Sequence, residues 1–316
     1  MGAGTRTQRL SLQTRFVPFL HDLVDLRSAL PSLRFNLLGL DNHSRCSGGY
    51  NGGDKTMVTI KLGKHRVEVY GAVDELPVVR FHKYQKLMLI DAGIGADITA
   101  LDQRLEKTRR YLMAGKGEDA KKELANLRQC VYFIQTGLSP RHRAFAALVR
   151  RVDGETFDDA SDTAIDRILE LLSDVAVGDL DGQLMSVKKK IEGELTLYFP
   201  KVFESTETKE WYDLLKRRTA AVLSLLAAGI NPNGNGDVEE LTTRMATLAP
   251  ARVFDGPEGE EVKADRNFED VCLVLSEQLH INPKTCTVFE YYSAYDFVQR
   301  RQKEAEKARN KAKFGR

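Results

Sequence analysis

The sequence predicts a mainly α protein: a helical bundle with a short N-terminal β-hairpin, plus a small helical C-terminal module. Apolar residues recur at helical spacing through most of the chain after residue 77. A period-two alternation occupies residues 58–70, and a Gly/Asn/Pro stretch at residues 229–236 interrupts the helices. With 316 residues, of which 42% are hydrophobic, the chain is long enough for one or two domains with a sizeable core.

Residues 1–56 differ in composition from the rest of the chain. They contain six arginines, no glutamate and a single lysine, Lys55, and no apolar period persists in them. The codons of Gly52-Gly53-Asp54 can spell GGAGGTGAT, a bacterial ribosome-binding site just before Met57. These features favour a translated non-coding stretch with the natural start at Met57, and so a non-native or disordered extension. An organellar transit peptide and a loose N-terminal arm are the alternatives.

The first regular element after Met57 is a predicted β-hairpin. Residues 58–62 and 66–70 alternate apolar and polar side chains on either side of the turn Gly63-Lys64. An isolated hairpin is only marginally stable in water, so its apolar face must rest on the helices. That face consists of Val58, Ile60, Leu62, Val67 and Val69.

Seven helices are predicted in the body that follows, and most have a recognisable start or stop signal. Pro77 and Ser139-Pro140 are typical of helix starts, whereas Gly137 and Pro200 are typical of positions just beyond a helix. A turn is expected at Asp153-Gly154. The predicted ranges are 78–92, 97–113, 118–135, 140–149, 162–172, 180–198 and a last helix from Thr206 or Thr208 to about 226.

The Gly/Asn/Pro stretch at residues 229–236 is the best predicted domain boundary, because neither helix nor sheet accommodates it easily. The predicted units are a hairpin plus helical body at 57–228, a flexible linker with one short helix at 229–266, and a C-terminal helical module with a basic tail at 267–316. Pro283 separates the two helices of that module, which are predicted at 268–280 and 287–313.

No catalytic, cofactor-binding or metal-binding residues are predicted. Gly93-Ile94-Gly95 lacks the context of a phosphate loop and is interpreted as a helix-to-helix turn. The acidic loop at 153–162 lacks the EF-hand spacing, so a helix N-cap in a solvated loop is favoured over a calcium site. The histidines show no metal-ligand spacing, and His82 is expected to pack near an apolar helical face. With no nucleophile signature either, we expect a protein that is not an enzyme.

Charge and hydropathy restrict the partners and the compartment. A formal net charge of +2 argues against a dedicated polyanion binder, and the longest apolar run, residues 220–230, is too short for a membrane span. The four cysteines show no CxxC spacing, which is typical of reduced thiols in a cytosolic protein. The sequence therefore predicts a cytoplasmic protein without a membrane partner.

The C-terminal helix carries the candidate partner-binding residues. Aromatic side chains crowd its first half and basic side chains its second half, which indicates a buried docking half and an exposed tail. Three interpretations remain open for the tail: a protein-docking element, a grip on nucleic-acid phosphates, or a solvated helix end. The residues predicted to contact a partner are Phe289, Tyr292, Tyr295, Arg300 and Arg301.

Four segments of the chain carry a resemblance to known proteins: the hairpin, Asn126-Leu127-Arg128-Gln129, residues 188–192 with the following Tyr198-Phe199-Pro200, and residues 287–292. Together they look like small helical proteins from the tail-gene regions of gut bacteriophages. The order of helical body, linker and C-terminal extension is also similar to the tail assembly chaperones of long-tailed phages. In those chaperones the extension contacts tail subunits while the body holds the tape-measure protein. The resemblance is one of arrangement, covers most of residues 57–313 and brings no catalytic residues with it.

The resemblance implies a non-enzymatic protein-binding factor, a bacteriophage tail assembly chaperone that acts on tail or tape-measure proteins in the host bacterial cytoplasm. No cofactor is expected. The alternative is a nucleic-acid-binding or packaging adaptor that uses the basic C-terminal helix. Gene neighbourhood separates the two, because tube and tape-measure genes nearby support the chaperone and terminase or replication genes support the adaptor.

Overall fold

A computed structural model of the protein describes residues 57–200, 202, 209–254 and 256–314. These residues are 68% helical and form ten α-helices and one four-stranded antiparallel sheet. The predicted mainly α fold is therefore confirmed. The interpretation of residues 1–56 lies outside the described residues.

The described part of the chain starts with two strands, continues through four helices, returns to the sheet, and then forms six further helices. The strands are β1 (Met57–Leu62), β2 (His65–Tyr70), β3 (Val149–Val152) and β4 (Glu155–Thr156). The helices are α1 (Val78–Gly93), α2 (Ile98–Met113), α3 (Gly117–Thr136), α4 (Pro140–Leu148), α5 (Asp162–Leu171), α6 (Val177–Tyr198), α7 (Lys209–Ala227), α8 (Gly236–Ala246), α9 (Glu260–Leu279) and α10 (Val288–Phe314). A 3-10 turn, Pro283–Thr285, precedes α10.

The predicted hairpin is confirmed, and the sheet is larger than the sequence indicated. Strands β1 and β2 pair antiparallel around Gly63, whose φ of 58° suits glycine. The helix predicted to continue through Val149 ends at Leu148, and Val149 begins β3 instead. The helix ends there because the following residues pair with a distant strand: Val152 of β3 lies opposite Val67 of the hairpin. A strand of four residues is too short to show a period of its own.

Several predicted helix boundaries are confirmed in atomic detail. The side chains of Asp97, Ser139 and Ser161 each accept a hydrogen bond from a backbone N–H in the first turn of the helix that follows. Gly137 ends α3 in the left-handed conformation, with φ at 68°. These local signals fix where the chain reverses and therefore which helices become neighbours.

One hydrophobic core joins the hairpin to helices from both halves of the chain. The apolar face of the hairpin is buried against the helices, as its sequence predicted. The same core contains side chains of α9 and α10, including Leu275, Tyr292 and Tyr295. The backbone joins these parts as well, because the N–H groups of Val78 and Val288 donate to Cys286 and Leu76 carbonyls at 3.0 and 2.8 Å.

Helices α2 and α3 form an antiparallel hairpin beside this core, and the segment after α8 packs on it. The Tyr111 hydroxyl donates to the Ala249 carbonyl at 2.8 Å, and the Asn126 amide donates to the Arg252 carbonyl at 2.9 Å. Phe254 is buried in a second apolar cluster with Ile94 and Cys130. Part of the segment predicted as a linker thus lies against the body, while the division of the chain into units stays a prediction.

Candidate protein-binding surface

The first half of α10 has a buried side and an exposed side, and the five predicted contact residues divide between them. Tyr292 and Tyr295 point inward, together with Val288, Tyr291 and Val298. Phe289, Arg300 and Arg301 lie on exposed positions. The split between a buried first half and an exposed tail matches the sequence pattern, but the buried half docks on the protein's own core.

The inward tyrosines are part of a connected series of rings. Tyr292 meets Phe81 edge to face at 6.3 Å between centroids and lies 5.9 Å from Phe199. Phe81 in turn stacks on Tyr84 at 6.0 Å. Burial raises the pKa of Tyr292, because the phenolate form would lose its water. Such ring pairs stabilise the core beyond the area that they bury.

This series of rings reaches the surface at the junction of α6 and α10. Phe289 lies 5.7 Å from Phe199 and meets Tyr198 edge to face at 5.3 Å. Tyr198 is 53% exposed and Phe289 is 36% exposed, and Leu197 beside them is also exposed. We call Leu197, Tyr198 and Phe289 the aromatic surface. Both of its rings contact the buried ring of Phe199, Tyr198 at 6.4 Å and Phe289 at 5.7 Å between centroids.

Charged groups lie further along the exposed side of α10. Arg300 Nε contacts Asp296 Oδ2 at 3.0 Å, one helical turn earlier. The Arg301 guanidinium lies over the ring of Phe297 at 5.6 Å from its centroid. From Lys303 to Ala308 every side chain is exposed. The structure thus places Phe289 and the two arginines on the exposed side of the helix and leaves residues 303–308 in solvent.

Sequence reasoning missed Leu197 and Tyr198 as site residues. A signal was available, since Tyr198-Phe199-Pro200 marks the end of a helix. Two aromatic side chains at that position must either be buried by another element of the fold or remain as an apolar patch on the surface. What the sequence could not supply was the position of Phe289, which is 91 positions away from Tyr198 along the chain. Only the tertiary fold joins the two rings into one surface.

His82 and His65 each contact residues that lie far away in the sequence. His82 stacks on Phe268 at 4.2 Å and lies 2.8 Å from Asp265, which confirms its predicted packing role. Its pKa is lowered, mainly by burial. His65 lies between Asp153 and Asp174, and its hydrogen bonds to both carboxylates raise its pKa. The described residues contain no group of three or more His, Cys, Asp or Glu side chains that could hold a metal ion.

A polar cluster lies where α1, α4 and α6 meet. Arg141 holds Asp91 at 3.1 Å and lies 3.8 Å from Asp181, which His142 approaches at 3.6 Å. Burial raises the pKa of Asp91 and the nearby guanidinium of Arg141 opposes that rise. Burial lowers the pKa of His142, and Asp181 Oδ1 is buried without a hydrogen-bond partner among the described residues. The ion pairs of Arg141 with Asp91 and Asp181 therefore make the charged connection between these helices.

Two loops that resemble ligand sites in composition are turns and caps. Gly95 adopts φ of 76° in the connection from α1 to α2, as the helix-to-helix turn predicted. In the acidic loop, Asp159 accepts hydrogen bonds from Ser161, and Asp162 pairs with Lys83 at 2.9 Å. Both arrangements satisfy the local backbone and charge without a bound ion.

Of the three described thiols, two are buried and that of Cys286 is partly exposed. Cys130, Cys272 and Cys286 are free, and burial raises the pKa of each thiol. Cys46 lies outside the described residues. A raised pKa keeps a thiol protonated at neutral pH and makes it a poor nucleophile.

In the part of the chain that the structure describes, no helix has both the length and the apolar character needed to cross a membrane. The chain matches no protein-family model, and no curated protein or solved structure is similar to it.

Proposed function

We propose that the protein is a non-enzymatic protein-binding factor that holds an apolar segment of a partner on the aromatic surface. The observation that carries this proposal is the contact of exposed Tyr198 and Phe289 with buried Phe199. Rings that are already fixed lose little conformational freedom when a partner covers them. Tyr and other large aromatic side chains commonly supply the strongest contacts of an interface.

The surroundings of the aromatic surface suit such a role. Phe297, Arg300 and Arg301 continue the exposed side of α10, and Arg and Phe are enriched in interface cores. Covering one large apolar side chain contributes about 1.5 to 3 kcal/mol. Leu197, Tyr198 and Phe289 together can therefore support a specific but modest contact, which is appropriate for a factor that must release its partner.

We place this binding activity in bacteriophage tail assembly, with tail or tape-measure subunits as partners in the host bacterial cytoplasm. The support is the resemblance in sequence arrangement to phage tail-region proteins. The exposed residues 303–308 of α10 add an element of the kind that the C-terminal extension of a tail assembly chaperone supplies. Phe289 of the aromatic surface lies in the first turn of the same helix, 14 residues before Lys303.

A nucleic-acid adaptor is the second candidate, and the same exposed helix favours it. Residues 300–316 contain eight basic and two acidic side chains. Phosphate contacts by such a helix would make affinity fall steeply with salt. A fluorescent oligonucleotide titrated at rising salt tests this candidate directly, and absence of binding at low salt removes it.

Co-expression tests the protein-binding proposal. The tagged protein is produced with the products of the genes beside its own, and co-purified subunits are identified by mass. Phe289→Ser and Tyr198→Ser should reduce capture of the same subunit at least tenfold, because about 1.4 kcal/mol of lost contact already corresponds to that factor. Leu273→Ser is the matched control, since Leu273 is also an exposed apolar residue but lies on α9. Equal capture by all three variants contradicts the proposal.

A further inference from the structure

Three apolar side chains on α2 are exposed at intervals of seven residues. Ile98 is 70% exposed, Leu105 50% and Leu112 61%. Residues seven apart lie on one side of a helix, two turns from each other. An exposed apolar stripe of this regularity differs from scattered surface leucines, which need no explanation.

The other sides of α2 are already covered. Toward α3, Tyr111 packs on Ala120, and Arg104 contacts the buried carboxylate of Glu123 at 3.2 Å. Toward α8, Arg110 contacts Glu239 at 3.1 Å. The exposed stripe is therefore the one apolar side of α2 that no described element covers.

Helix α3 extends this stripe across the hairpin. Leu124 is exposed and Val131, seven residues later, is partly buried. Viewed from the N-terminus of each helix, Leu124 and Val131 on α3 and the stripe on α2 are rotated in the same direction away from the residues that join the two helices. In an antiparallel helix pair, positions rotated in the same direction lie on the same side of the pair. We call Ile98, Leu105, Leu112, Leu124 and Val131 the outer stripe. It lies opposite the side of the hairpin that α8 and residues 249–254 cover.

The charges that flank the stripe on α2 have a self-complementary order. Asp102 and Arg109 are both exposed, three residues before and four residues after Leu105. If two copies of α2 run antiparallel about a two-fold axis at Leu105, the two Leu105 side chains meet and Ile98 of each copy faces Leu112 of the other. Asp102 of each copy then faces Arg109 of the other. An isologous dimer requires this kind of pairing between different residues of the same surface.

The contacts that Asp102 and Arg109 make within one copy leave both side chains able to pair with a second copy. Arg109 holds Glu106 of its own helix with Nε and Nη2, both at 2.7 Å, and its side chain remains about half exposed. Asp102 makes no ion pair with any other described residue. An Arg109 guanidinium from a second copy would therefore meet a carboxylate that is still available. In a parallel arrangement about a two-fold axis, these flanks of the two copies lie on opposite edges of the contact, so Asp102 of one copy does not meet Arg109 of the other.

We propose that the outer stripe binds a second copy of this chain, so that two α2–α3 hairpins form an antiparallel four-helix bundle. With 16 residues, α2 is about 24 Å long. Two helices, each about 10 Å wide, present a face of roughly 500 Å² per copy. The total of roughly 1,000 Å² lies at the lower limit for a specific interface, so the dimer forms with modest affinity and depends on concentration.

Sedimentation velocity of the full chain over a hundredfold range of concentration, which spans about 2.7 kcal/mol in binding free energy, tests the proposal. The wild type should shift from monomer to dimer, and Leu105→Glu should raise the dissociation constant at least tenfold because two carboxylates then meet at the axis. Circular dichroism checks that this half-exposed residue does not affect folding. Leu273→Glu, which changes an equally exposed residue on α9, should dimerise as the wild type does.

A charge exchange makes the test specific to the antiparallel arrangement. Asp102→Arg or Arg109→Asp alone places like charges opposite each other and should weaken the dimer, whereas Asp102→Arg with Arg109→Asp should restore it. Restoration supports the proposal even if Leu105→Glu fails to fold. A wild type that stays monomeric at every concentration overturns the proposal, and so does a dimer that Leu105→Glu leaves intact or a double variant no tighter than the single ones.

Discussion

At the scale of single residues, His65 ties three parts of the chain together. Its Nδ1 lies 2.5 Å from Asp153 Oδ2 and its Nε2 lies 2.8 Å from Asp174 Oδ1. These hydrogen bonds are strongest when the imidazole carries both protons, and they raise its pKa. The hydrogen bond from Lys64, and after it the one from His65, lower the pKa of Asp174 to about 2.

We predict that the stability contributed by His65 depends on pH. Because the pKa of His65 is raised in the folded protein, its contribution is fully present below the unfolded value of about 6.5 and is lost as pH rises through the folded value. Urea unfolding of wild type and His65→Asn should therefore differ more at pH 6 than at pH 9. Proton NMR titration of the imidazole gives the folded pKa. A difference that is constant across this range contradicts the assignment.

Arg80 is a buried cation whose contacts are backbone carbonyls. It donates to Ala147 and Val149 at 3.2 and 3.0 Å, and also to the carbonyls of Phe157 and Asp159. These bonds connect α1 to the end of α4, to β3 and to the loop before α5. Burial lowers its pKa.

We predict that Arg80→Met lowers the free energy of unfolding by about 2 to 4 kcal/mol, because several buried carbonyls lose their donor. Arg80→Lys should recover only part of this loss, since one ammonium cannot reproduce the planar fork of a guanidinium. Arg151→Met is the control: Arg151 pairs with Glu68 in a more exposed position and should change stability by less than about 1 kcal/mol. Equal effects at both sites would show that the carbonyl contacts contribute little.

The sequence identified the packing of His82 but not the role of Arg80. An aromatic or histidine residue on an apolar helical face is recognisable from periodicity. A lone arginine in a helix usually has a solvated head group, and the four carbonyls that meet this one come from residues 67 to 79 positions away. An even larger separation in sequence, 91 positions, hid the pairing of Tyr198 with Phe289.

At the scale of elements, the contact between the end of α1 and the segment after α8 depends on a glycine. A Cβ atom added at Gly93 would lie 1.9 Å from Phe254 Cζ, far inside contact distance. Phe254 itself is buried with Ile94 and Cys130. The absence of a side chain at position 93 therefore lets the ring lie on the helix end.

We predict that Gly93→Ala lowers the free energy of unfolding by about 1 to 3 kcal/mol through overpacking, although alanine is the better helix former. The loss should largely disappear in a Phe254→Ala background, because the clashing ring is then gone. A double-mutant cycle from urea unfolding measures this coupling. Independent effects of the two substitutions contradict the packing of Phe254 on the end of α1.

Elements with local signals could be predicted, and those that depend on distant partners could not. Ser139-Pro140 gave a correct helix start because the capping residue and its helix are adjacent in the sequence. The helices predicted from Asp97 and from Ser161 or Asp162 also begin where expected, with Asp97 and Ser161 as the caps. Strand β3 was missed because its pairing partner, β2, lies some 80 residues earlier. The extended segment at 249–254 was read as a linker for the same reason: its contacts with α2 and α3 leave no pattern in its own sequence.

At the scale of the whole molecule, the N-terminal hairpin and the C-terminal helices share one core. Leu62 and Val69 of the hairpin belong to the same cluster as Leu275 and Tyr295. The backbone bridge between Pro77 and Thr287 reinforces this connection. Deletion of the hairpin would expose apolar side chains of α9 and α10, and deletion of those helices would expose the apolar face of the hairpin.

We predict that the described part of the chain unfolds in a single cooperative transition. Tyr295→Ala should lower the stability of the whole transition by about 3 to 5 kcal/mol, since a buried aromatic is replaced by a small side chain. Calorimetry tests this through the ratio of calorimetric to van't Hoff enthalpy, which is near one for a two-state unfolding. Two separate transitions, of which Tyr295→Ala shifts only one, would support independent units.

The central claim is that the protein binds a protein partner through the aromatic surface and not a nucleic acid through its basic tail. Its most direct test compares two variants, Phe289→Ser and Arg300→Gln with Arg301→Gln, in the affinity for a captured tail subunit. We expect Phe289→Ser to weaken binding at least tenfold at all salt concentrations, and the arginine variant to change mainly the on-rate and its salt dependence. Unchanged binding by Phe289→Ser, together with loss of binding by the arginine variant, contradicts the account.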